Sequence, residues 1–182
     1  YIGKSHYYEH TPKTHLRNME EYMHARGISF IHETTGPWAT LYTDSYMTDE
    51  WKRKGILELF RSDYKKRKSL PRWYVNPSPL SEEDFLDSYI GRKAVEFIEK
   101  EEYSLPVCLF VGFGGPHEPW DAPGKYATMY NPQDTPSPIP ISQQISLHSQ
   151  QEKFNDLLPL EGLTIKDIRK IRANYYGKIT LI

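Results

Sequence analysis

Cysteine, long apolar runs and net charge are all scarce in this sequence of 182 residues. The single cysteine, Cys108, excludes a framework of internal disulfide bonds. No apolar run approaches the roughly 20 residues that a membrane-spanning helix needs, so we predict no membrane segment. A formal net charge of −1 gives no reason to expect nucleic acid or an anionic membrane as a partner. The partners of this chain therefore have to be inferred from individual sites.

An initiating methionine and a signal peptide are also missing from the sequence. The chain begins at Tyr1, inside a predicted strand, and stops at Ile182 without a helix cap or a turn residue. We therefore expect the sequence to be a piece of a longer protein. Any targeting segment would then precede Tyr1.

The apolar residues that are present recur with periods that predict alternating strands and helices. Gly27 is placed to end the first helix, whereas Gly55 weakens the prediction of the second. A continuous apolar run at 105–113 is typical of a strand buried on both faces of a parallel sheet. The order of elements predicts one α/β domain with a long irregular excursion over 124–162. The predicted strands are 1–2, 28–32 and 105–113, and the predicted helices are 14–26, 48–68, 81–98 and a last one from 164.

The most informative motif follows that apolar run, and its sequence is GGPHEPWDAP over residues 114–123. Prolines at 116, 119 and 123 stiffen a turn that carries His117 at the carboxyl end of the predicted strand. Ligands of parallel sheets bind beyond the carboxyl ends of the strands, so His117 is a candidate for proton transfer or binding. The alternative is a turn histidine that bonds only to neighbouring backbone groups.

A second motif, GKSH at residues 3–6, follows the first predicted strand. Lys4 and His6, together with His117, would supply cationic donors to a tetrahedral oxyanion, and either histidine could pass a proton to a departing oxygen. This chemistry suits transfer of a sulfuryl or phosphoryl group. The alternative for this short motif is an exposed turn with a solvated lysine.

In their order and spacing, these motifs and two further ones resemble the sulfatase family of the alkaline-phosphatase-like superfamily. The matching segments are YIGKSH at 1–6, DSYIGRKAVEFIE at 87–99, FVGFGGPHEPWDAP at 110–123 and RANYYGKIT at 172–180. The resemblance implies an α/β fold with a mostly parallel sheet flanked by helices, incomplete in this chain. Residues 1–182 would be the central part of one catalytic domain, without its N-terminal nucleophile motif and its C-terminal metal-binding part.

The resemblance also implies roles for individual residues. Lys4 matches a lysine that contacts both the nucleophile and the sulfate, and His6 matches a histidine that bonds to the nucleophile and helps to release the sulfate from it. His117 matches a histidine that binds the ester end and protonates the leaving oxygen. Beside His117, Trp120 is the aromatic residue that we expect to form a wall of the substrate pocket. Ser5 departs from the family pattern, because many sulfatases have a bulky residue there.

The family uses a formylglycine nucleophile, made from a cysteine or serine, and a calcium ion. Both are expected outside this chain, with the nucleophile motif before Tyr1, and we predict no metal ligands within it. Cys108 lies in mid-strand and is predicted to be a small buried hydrophobe. His6 and His10 have the spacing of zinc ligands on a helix, but Pro12 follows closely and favours a loop. Family members are secreted, periplasmic or lysosomal.

Three functions remain open at this point. The first is a sulfuric ester hydrolase that acts on an aryl sulfate or a glycan sulfate, and the chain alone would then be inactive. The second is a phosphodiesterase or phosphonate monoester hydrolase of the same superfamily. The third is a binding module without catalysis. The basic segment 65–68 could bind polyanions, although it also fits the solvated end of a helix.

Overall fold

The computed structural model describes residues 1–100, 103–139, 153 and 160–182. Its centre is a parallel sheet of three strands, in the order β2–β1–β3, which confirms the predicted α/β class. The strands are β1 (Ile2–Lys4), β2 (His32–Thr34) and β3 (Val111–Gly112). The flanking helices are α1 (Glu20–His24), α2 (Tyr46–Arg53), α3 (Leu57–Arg67), α4 (Leu86–Lys100) and α5 (Ile165–Leu181).

The core lies where helices pack on this sheet. Helix α4 contacts β1 and β3, and α2 contacts β2. On α4 the buried residues include Leu86, Tyr89, Ile90 and Ala94, whose spacing puts them on one face of the helix. Full burial of a side chain such as Ile90 contributes about 1.5–3 kcal/mol to folding. This packing fixes the strand ends relative to α4.

Helix α5 begins as the sequence predicts. The hydroxyl of Thr164 and the carboxylate of Asp167 cap the first turn reciprocally. At its other end α5 packs on a 3₁₀ turn at Gly124–Ala127. A Cβ added at Gly177 would lie only 2.1 Å from the carbonyl oxygen of Tyr126, so glycine permits this close approach.

The helix prediction for 48–68 was wrong in one respect, because two helices occupy this part of the chain. Gly55 separates α2 from α3 with a φ of 72°, a conformation outside the helical region. The predicted helix at 14–26 consists of a 3₁₀ turn at Leu16–Met19 followed by α1, and Gly27 follows with a φ of 84°. Helix α4 begins later than predicted, after a turn in which Ser81 accepts a hydrogen bond from the Asp84 amide.

The strand predicted at 28–32 lies further along the chain, at His32–Thr34. The apolar residues suggested the earlier position, yet Phe30 is exposed. Glu33 and Thr34 are polar but buried, because the strand passes through the interior next to β1. Hydrophobic patterning could not locate a strand whose buried residues are polar.

The prediction of a strand over 105–113 buried on both faces was also wrong. The strand β3 covers only Val111–Gly112, and the residues before it are largely exposed, Leu105 by 75% and Phe110 by 59%. Cys108, predicted to be buried, is exposed as well. These exposed residues precede β3, which lies at one edge of the described sheet with β1 as its neighbour.

The segment predicted as an irregular excursion begins with two 3₁₀ turns, at Gly124–Ala127 and Pro132–Asp134. Much of the rest of it, residues 140–152 and 154–159, lies outside the described residues. Among the residues that the structure does describe, no helix is long and apolar enough to cross a membrane.

His32, at the start of β2, is expected to make stability depend on pH. Its ring hydrogen-bonds to the Tyr89 hydroxyl at 2.8 Å and stacks on Tyr46. Burial, and then the positive charge of Lys93, lower the pKa of His32 from 6.5 to about 4. Between these pH values the unfolded chain binds a proton that the folded chain does not, so the free energy of unfolding should fall as pH falls.

Urea unfolding of the complete protein at several pH values between about 7 and about 4 measures this effect. The variant His32→Gln should give a flatter dependence on pH than the wild type. The matched control is His24→Gln, because His24 is exposed on α1. An unchanged slope in His32→Gln would show that other groups cause the pH dependence.

Candidate functional site

The two sequence motifs leave the sheet side by side. In the register of β1 and β3, Ile2 pairs with Val111 and Gly3 pairs with Gly112. Because the strands are parallel, the segments 4–6 and 114–117 both lie where the strands have their carboxyl ends. The structure thus brings the segment of Lys4 and His6 next to that of His117.

Glycines allow the close approach of β1 to β3. Gly3 has a φ of 100°, and a Cβ there would lie 2.1 Å from the carbonyl oxygen of Gly112. The Tyr1 hydroxyl also donates a hydrogen bond to the Lys4 carbonyl. No larger residue fits at position 3 without separating the strands.

The side chain of Lys4 lies along the loop that follows β2. A Cβ added at Gly36 would be 3.0 Å from the Lys4 Cε atom and 3.2 Å from Nζ. Lys4 is partly buried, whereas His6 is exposed. The aliphatic part of Lys4 is therefore confined by the loop, and this limits the positions that its ammonium group can reach.

A buried carboxylate holds the backbone between Lys4 and His6. Glu33, on β2, accepts hydrogen bonds from the hydroxyls of Ser5 and Tyr8. Burial, and then the hydrogen bond to Glu33, raise the pKa of the Tyr8 hydroxyl, which therefore stays protonated as a donor. The contacts explain why a small polar Ser5, itself buried, occupies a position where a bulky residue is common in the resembling family.

The same carboxylate has His10 as a neighbour, with 3.4 Å between Nε2 and the Glu33 Oε1 atom. His10 thus faces Glu33. Within the described part of the chain there is no group of three or more His, Cys, Asp or Glu residues that could hold a metal ion.

A second buried carboxylate holds the start of the His117 turn. Asp87, at the beginning of α4, accepts hydrogen bonds from the amides of Gly114 at 2.7 Å and Gly115 at 2.9 Å. Burial raises the pKa of Asp87, although the Gly115 amide and the Lys178 charge act in the opposite direction. A Cβ at Gly114 would lie 2.0 Å from the Leu86 Cδ2 atom and one at Gly115 would lie 2.4 Å from the Asp87 Oδ2 atom, so either would displace a side chain of α4.

Lys178, on α5, holds the other end of the turn. Its Nζ atom donates to the carbonyl oxygens of His117 at 2.8 Å and Pro119 at 3.0 Å, and to Asp121 Oδ1 at 2.8 Å. The side chains of Lys178 and Asp121 are only 2% and 0% exposed. A buried charge pair of this kind depends on complete hydrogen bonding, which the two carbonyls provide for the lysine.

Tyr64 completes this cluster by donating a hydrogen bond to the other oxygen of Asp121. Burial, and then the charge of Asp121, raise the pKa of Tyr64 well above its ordinary value, so the hydroxyl remains a donor. On the same turn, the Ala122 amide donates to Asn174 Oδ1 at 3.2 Å. The backbone around His117 is therefore held by α3, α4 and α5 together.

The imidazole of His117 is itself exposed. Its Nδ1 atom contacts the Glu118 carbonyl oxygen and lies 3.2 Å from the Glu118 carboxylate. The contacts of the ring within the described residues are all made by Nδ1. The Nε2 atom is thus the one that can reach a bound ligand. The hydrogen bonds described above restrain the backbone that carries this ring.

The side chain of Trp120 is held beside the turn by contacts with other parts of the chain. Its indole N–H donates to the Arg72 carbonyl at 3.0 Å, and its ring is tilted against Tyr175 at 6.4 Å. A cavity lined by Trp38, Tyr74 and Pro119 does not include Trp120 in its lining. The pocket-wall role of Trp120, like the roles of Lys4, His6 and His117, stays a prediction.

Sequence reasoning did not identify the residues that hold the site. Asp87 and Lys178 are parts of the motifs at 87–99 and 172–180, but nothing in the sequence separates them from ordinary surface charges. The role of Glu33 in holding the site could be inferred only if the burial of its strand were already known. The missing information in each case is burial.

Comparison with known proteins gives two similarities. No family model matches the chain, and no solved structure matches it. An arylsulfatase from Clostridium perfringens is 26% identical over 111 residues, which is 60% of this chain and 23% of that protein. A "multifunctional alkaline phosphatase superfamily protein PehA" from Trinickia caryophylli is 27% identical over 128 residues, which is 63% of this chain and 25% of that protein.

The chain thus spans about a quarter of the length of the curated relatives it matches. The two similarities support a sulfatase or alkaline-phosphatase-like relationship, which agrees with the resemblance seen in the motifs.

Proposed function

Starting from this relationship, we propose that the chain is part of a sulfuric ester hydrolase that cleaves an aryl or carbohydrate sulfate. The observation that carries the proposal is the pair of turns at adjacent strand ends, one with Lys4 and His6 and the other with His117. Three cationic or proton-transferring groups at the ends of two adjacent strands are suited to stabilise a tetrahedral oxyanion. Both relatives support a more general assignment, that of a hydrolase of this superfamily.

We also propose that residues 1–182 form the central part of one larger catalytic domain. The exposed apolar residues before β3 support this, because exposed side chains such as Phe110, next to an edge strand, are suited to further packing. The formylglycine nucleophile and the calcium ion would come from elsewhere in that domain. Within the described residues, no group of three or more His, Cys, Asp or Glu residues could hold that ion.

In the proposed reaction, water and a sulfate ester give an alcohol or phenol and inorganic sulfate. The Lys4 ammonium binds the sulfate oxygens and stabilises the negative charge that increases on them in the transition state. His6 hydrogen-bonds to the hydroxyl of the attacking group. As the attacking oxygen forms a bond to sulfur and the bond between sulfur and the ester oxygen breaks, His117 Nε2 gives a proton to the ester oxygen.

Activity of the complete protein that contains this chain tests the proposal. The substrates are 4-nitrophenyl sulfate, bis(4-nitrophenyl) phosphate and a phenylphosphonate monoester. We expect the highest kcat/KM for the sulfate, together with a formylglycine residue detected by mass spectrometry upstream of Tyr1. Higher activity on the phosphorus esters would contradict the proposal in favour of the second candidate.

That second candidate, a phosphodiesterase or phosphonate monoester hydrolase, is favoured by one specific observation. One of the two relatives has a name that describes it as multifunctional within the alkaline phosphatase superfamily. Hydrolysis of none of the three substrates would instead support a binding module that has lost catalysis.

Lys4 provides a direct test of the anion site. In Lys4→Ala we expect kcat/KM for 4-nitrophenyl sulfate to fall by about 10²–10³-fold, as when one preorganised donor to an oxyanion is removed. Steady-state kinetics measures the loss, and Lys166→Ala is the control because Lys166 is exposed on α5. Normal turnover in Lys4→Ala would rule out the role proposed for this lysine.

A further inference from the structure

A cavity of about 550 Å³ opens beside the His117 turn, and the mechanism above does not use it. Its size is within the range of pockets that bind small molecules. We call it the cationic cavity. Its lining includes Trp38, Tyr74, Pro119, Arg67, Lys68 and Arg72.

Positive charge exceeds negative charge around this cavity. None of its described lining residues is acidic. Arg67 is paired with Asp63, and the exposed Arg72 has the Glu118 carboxylate 3.5 Å away. Lys68 hydrogen-bonds to the Tyr42 hydroxyl at 2.6 Å and forms no ion pair with a described residue. An anion that entered the cavity would therefore be attracted to it.

Arg67 contributes an incomplete hydrogen-bonding group to the wall. Its side chain is only 3% exposed, with Nε donating to Asp63 and Nη2 donating to the Pro77 carbonyl at 3.0 Å. The buried Nη1 atom has no partner. Buried N–H groups are nearly always paired, and a guanidinium fits a carboxylate or a sulfate well. Arg67 therefore adds a largely buried positive charge to the cavity wall.

The aromatic residues give the cavity a second property, because flat rings bind other rings by their faces. Trp38 is held by an edge contact with the buried Tyr64, with 5.4 Å between the ring centres. It follows Gly36, which lies against Lys4, and Pro119 follows His117 by two residues. The cavity lining therefore includes one residue close in sequence to the Lys4 contact and one close in sequence to His117.

We propose that the cationic cavity binds a substrate ring that carries a second anionic group, a carboxylate or a further sulfate. This inference rests on the proposed function, because it takes that ring to be part of a sulfate ester. The Lys4 and His117 turns hold the ester that is cleaved, and the cavity holds the second anion. The two sources of such a ring are an acidic sugar and a carboxylated phenol.

The first test compares substrates in the complete protein. The singly anionic substrate is 4-nitrophenyl sulfate; the doubly anionic ones are a sulfated disaccharide with a uronic acid and the sulfate ester of 4-hydroxybenzoate. In the double variant Lys68→Gln/Arg72→Gln, the kcat/KM ratio of doubly to singly anionic substrate should fall about 10- to 100-fold. The source is an acidic sugar if the ratio falls for the disaccharide. It is a carboxylated phenol if the ratio falls for the sulfate ester of 4-hydroxybenzoate.

The matched control is Lys65→Gln/Lys66→Gln, since these exposed lysines belong to α3 but not to the cavity lining. The control should keep the wild-type ratio, and added salt should lower the wild-type ratio by screening. The same ratio in wild type and in Lys68→Gln/Arg72→Gln, for both rings, would overturn the inference.

A binding measurement separates this inference from the proposed function. Calorimetry follows the binding of 4-hydroxybenzoate and of an unsulfated uronic acid disaccharide, neither of which contains a sulfate ester. We expect at least one of them to bind about tenfold more weakly to Lys68→Gln/Arg72→Gln than to wild type. If that difference is present but no sulfate ester is hydrolysed, the proposed function fails and the cavity assignment stands. If hydrolysis occurs without the difference, the cavity assignment fails alone.

Discussion

Replacing His117 by alanine is expected to lower kcat by about 10²–10⁴-fold for sulfate esters of poor leaving groups, such as sugar hydroxyls. An alkoxide leaves slowly unless it receives a proton as the bond to sulfur breaks, and His117 Nε2 is the proposed donor. A good leaving group such as 4-nitrophenolate needs little protonation. The loss in His117→Ala should therefore be much smaller for 4-nitrophenyl sulfate, as measured by kcat over a series of leaving groups.

His6→Ala is the matched comparison for this series. Its proposed contact is with the attacking group, so its loss should be similar for all leaving groups. A dependence on leaving group in His6→Ala that equals the one in His117→Ala would mean that the two assignments are wrong. A uniform loss in His117→Ala would point to a role in binding rather than in proton donation.

Replacing Lys178 by methionine is expected to reduce the free energy of unfolding by about 3–5 kcal/mol, because it leaves the buried charge of Asp121 without a partner. The carbonyl oxygens of His117 and Pro119 lose their donor at the same time. We therefore expect a lower kcat/KM even at temperatures where the variant remains folded. Denaturant unfolding and steady-state kinetics of the complete protein measure the two effects.

The double variant Lys178→Met/Asp121→Asn provides the control for the charge argument. Without any unpaired charge it should regain part of the stability lost in Lys178→Met, which a double-mutant cycle measures as a coupling energy. Lys170→Met, an exposed position on the same helix, should have little effect. Strictly additive losses would contradict the pairing of Lys178 with Asp121.

The sequence was sufficient to predict the parts of this fold that depend on local signals. The capping box at Thr164, the end of a helix at Gly27 and the α/β order all follow from spacing and residue type. Prediction from the sequence failed where a segment is polar but buried, or apolar but exposed. The strand with Glu33 and Thr34 is buried but polar, and the apolar run before β3 is exposed at a sheet edge.

The residues of the candidate site were likewise predictable only in part. Lys4, His6 and His117 stand in short motifs of unusual composition, so they could be selected as candidate residues before the structure was known. The groups that hold them in place lie 27 to 61 residues away in the sequence, as between Asp87 and Gly114 or between Lys178 and His117. No local pattern specifies such distant pairs, because they result from the packing of whole helices.

The cluster of Tyr64, Asp121 and Lys178 also has a consequence for the order of folding. Asp121 is 57 residues from each of its two partners, one earlier and one later in the chain. Contacts over such separations form late, since they wait for the intervening chain to close. The turn that carries His117 can therefore reach its final shape only after α5 has been synthesised and docked. A nascent chain that ends before Lys178 would lack the contacts that hold the backbone at His117 and Pro119.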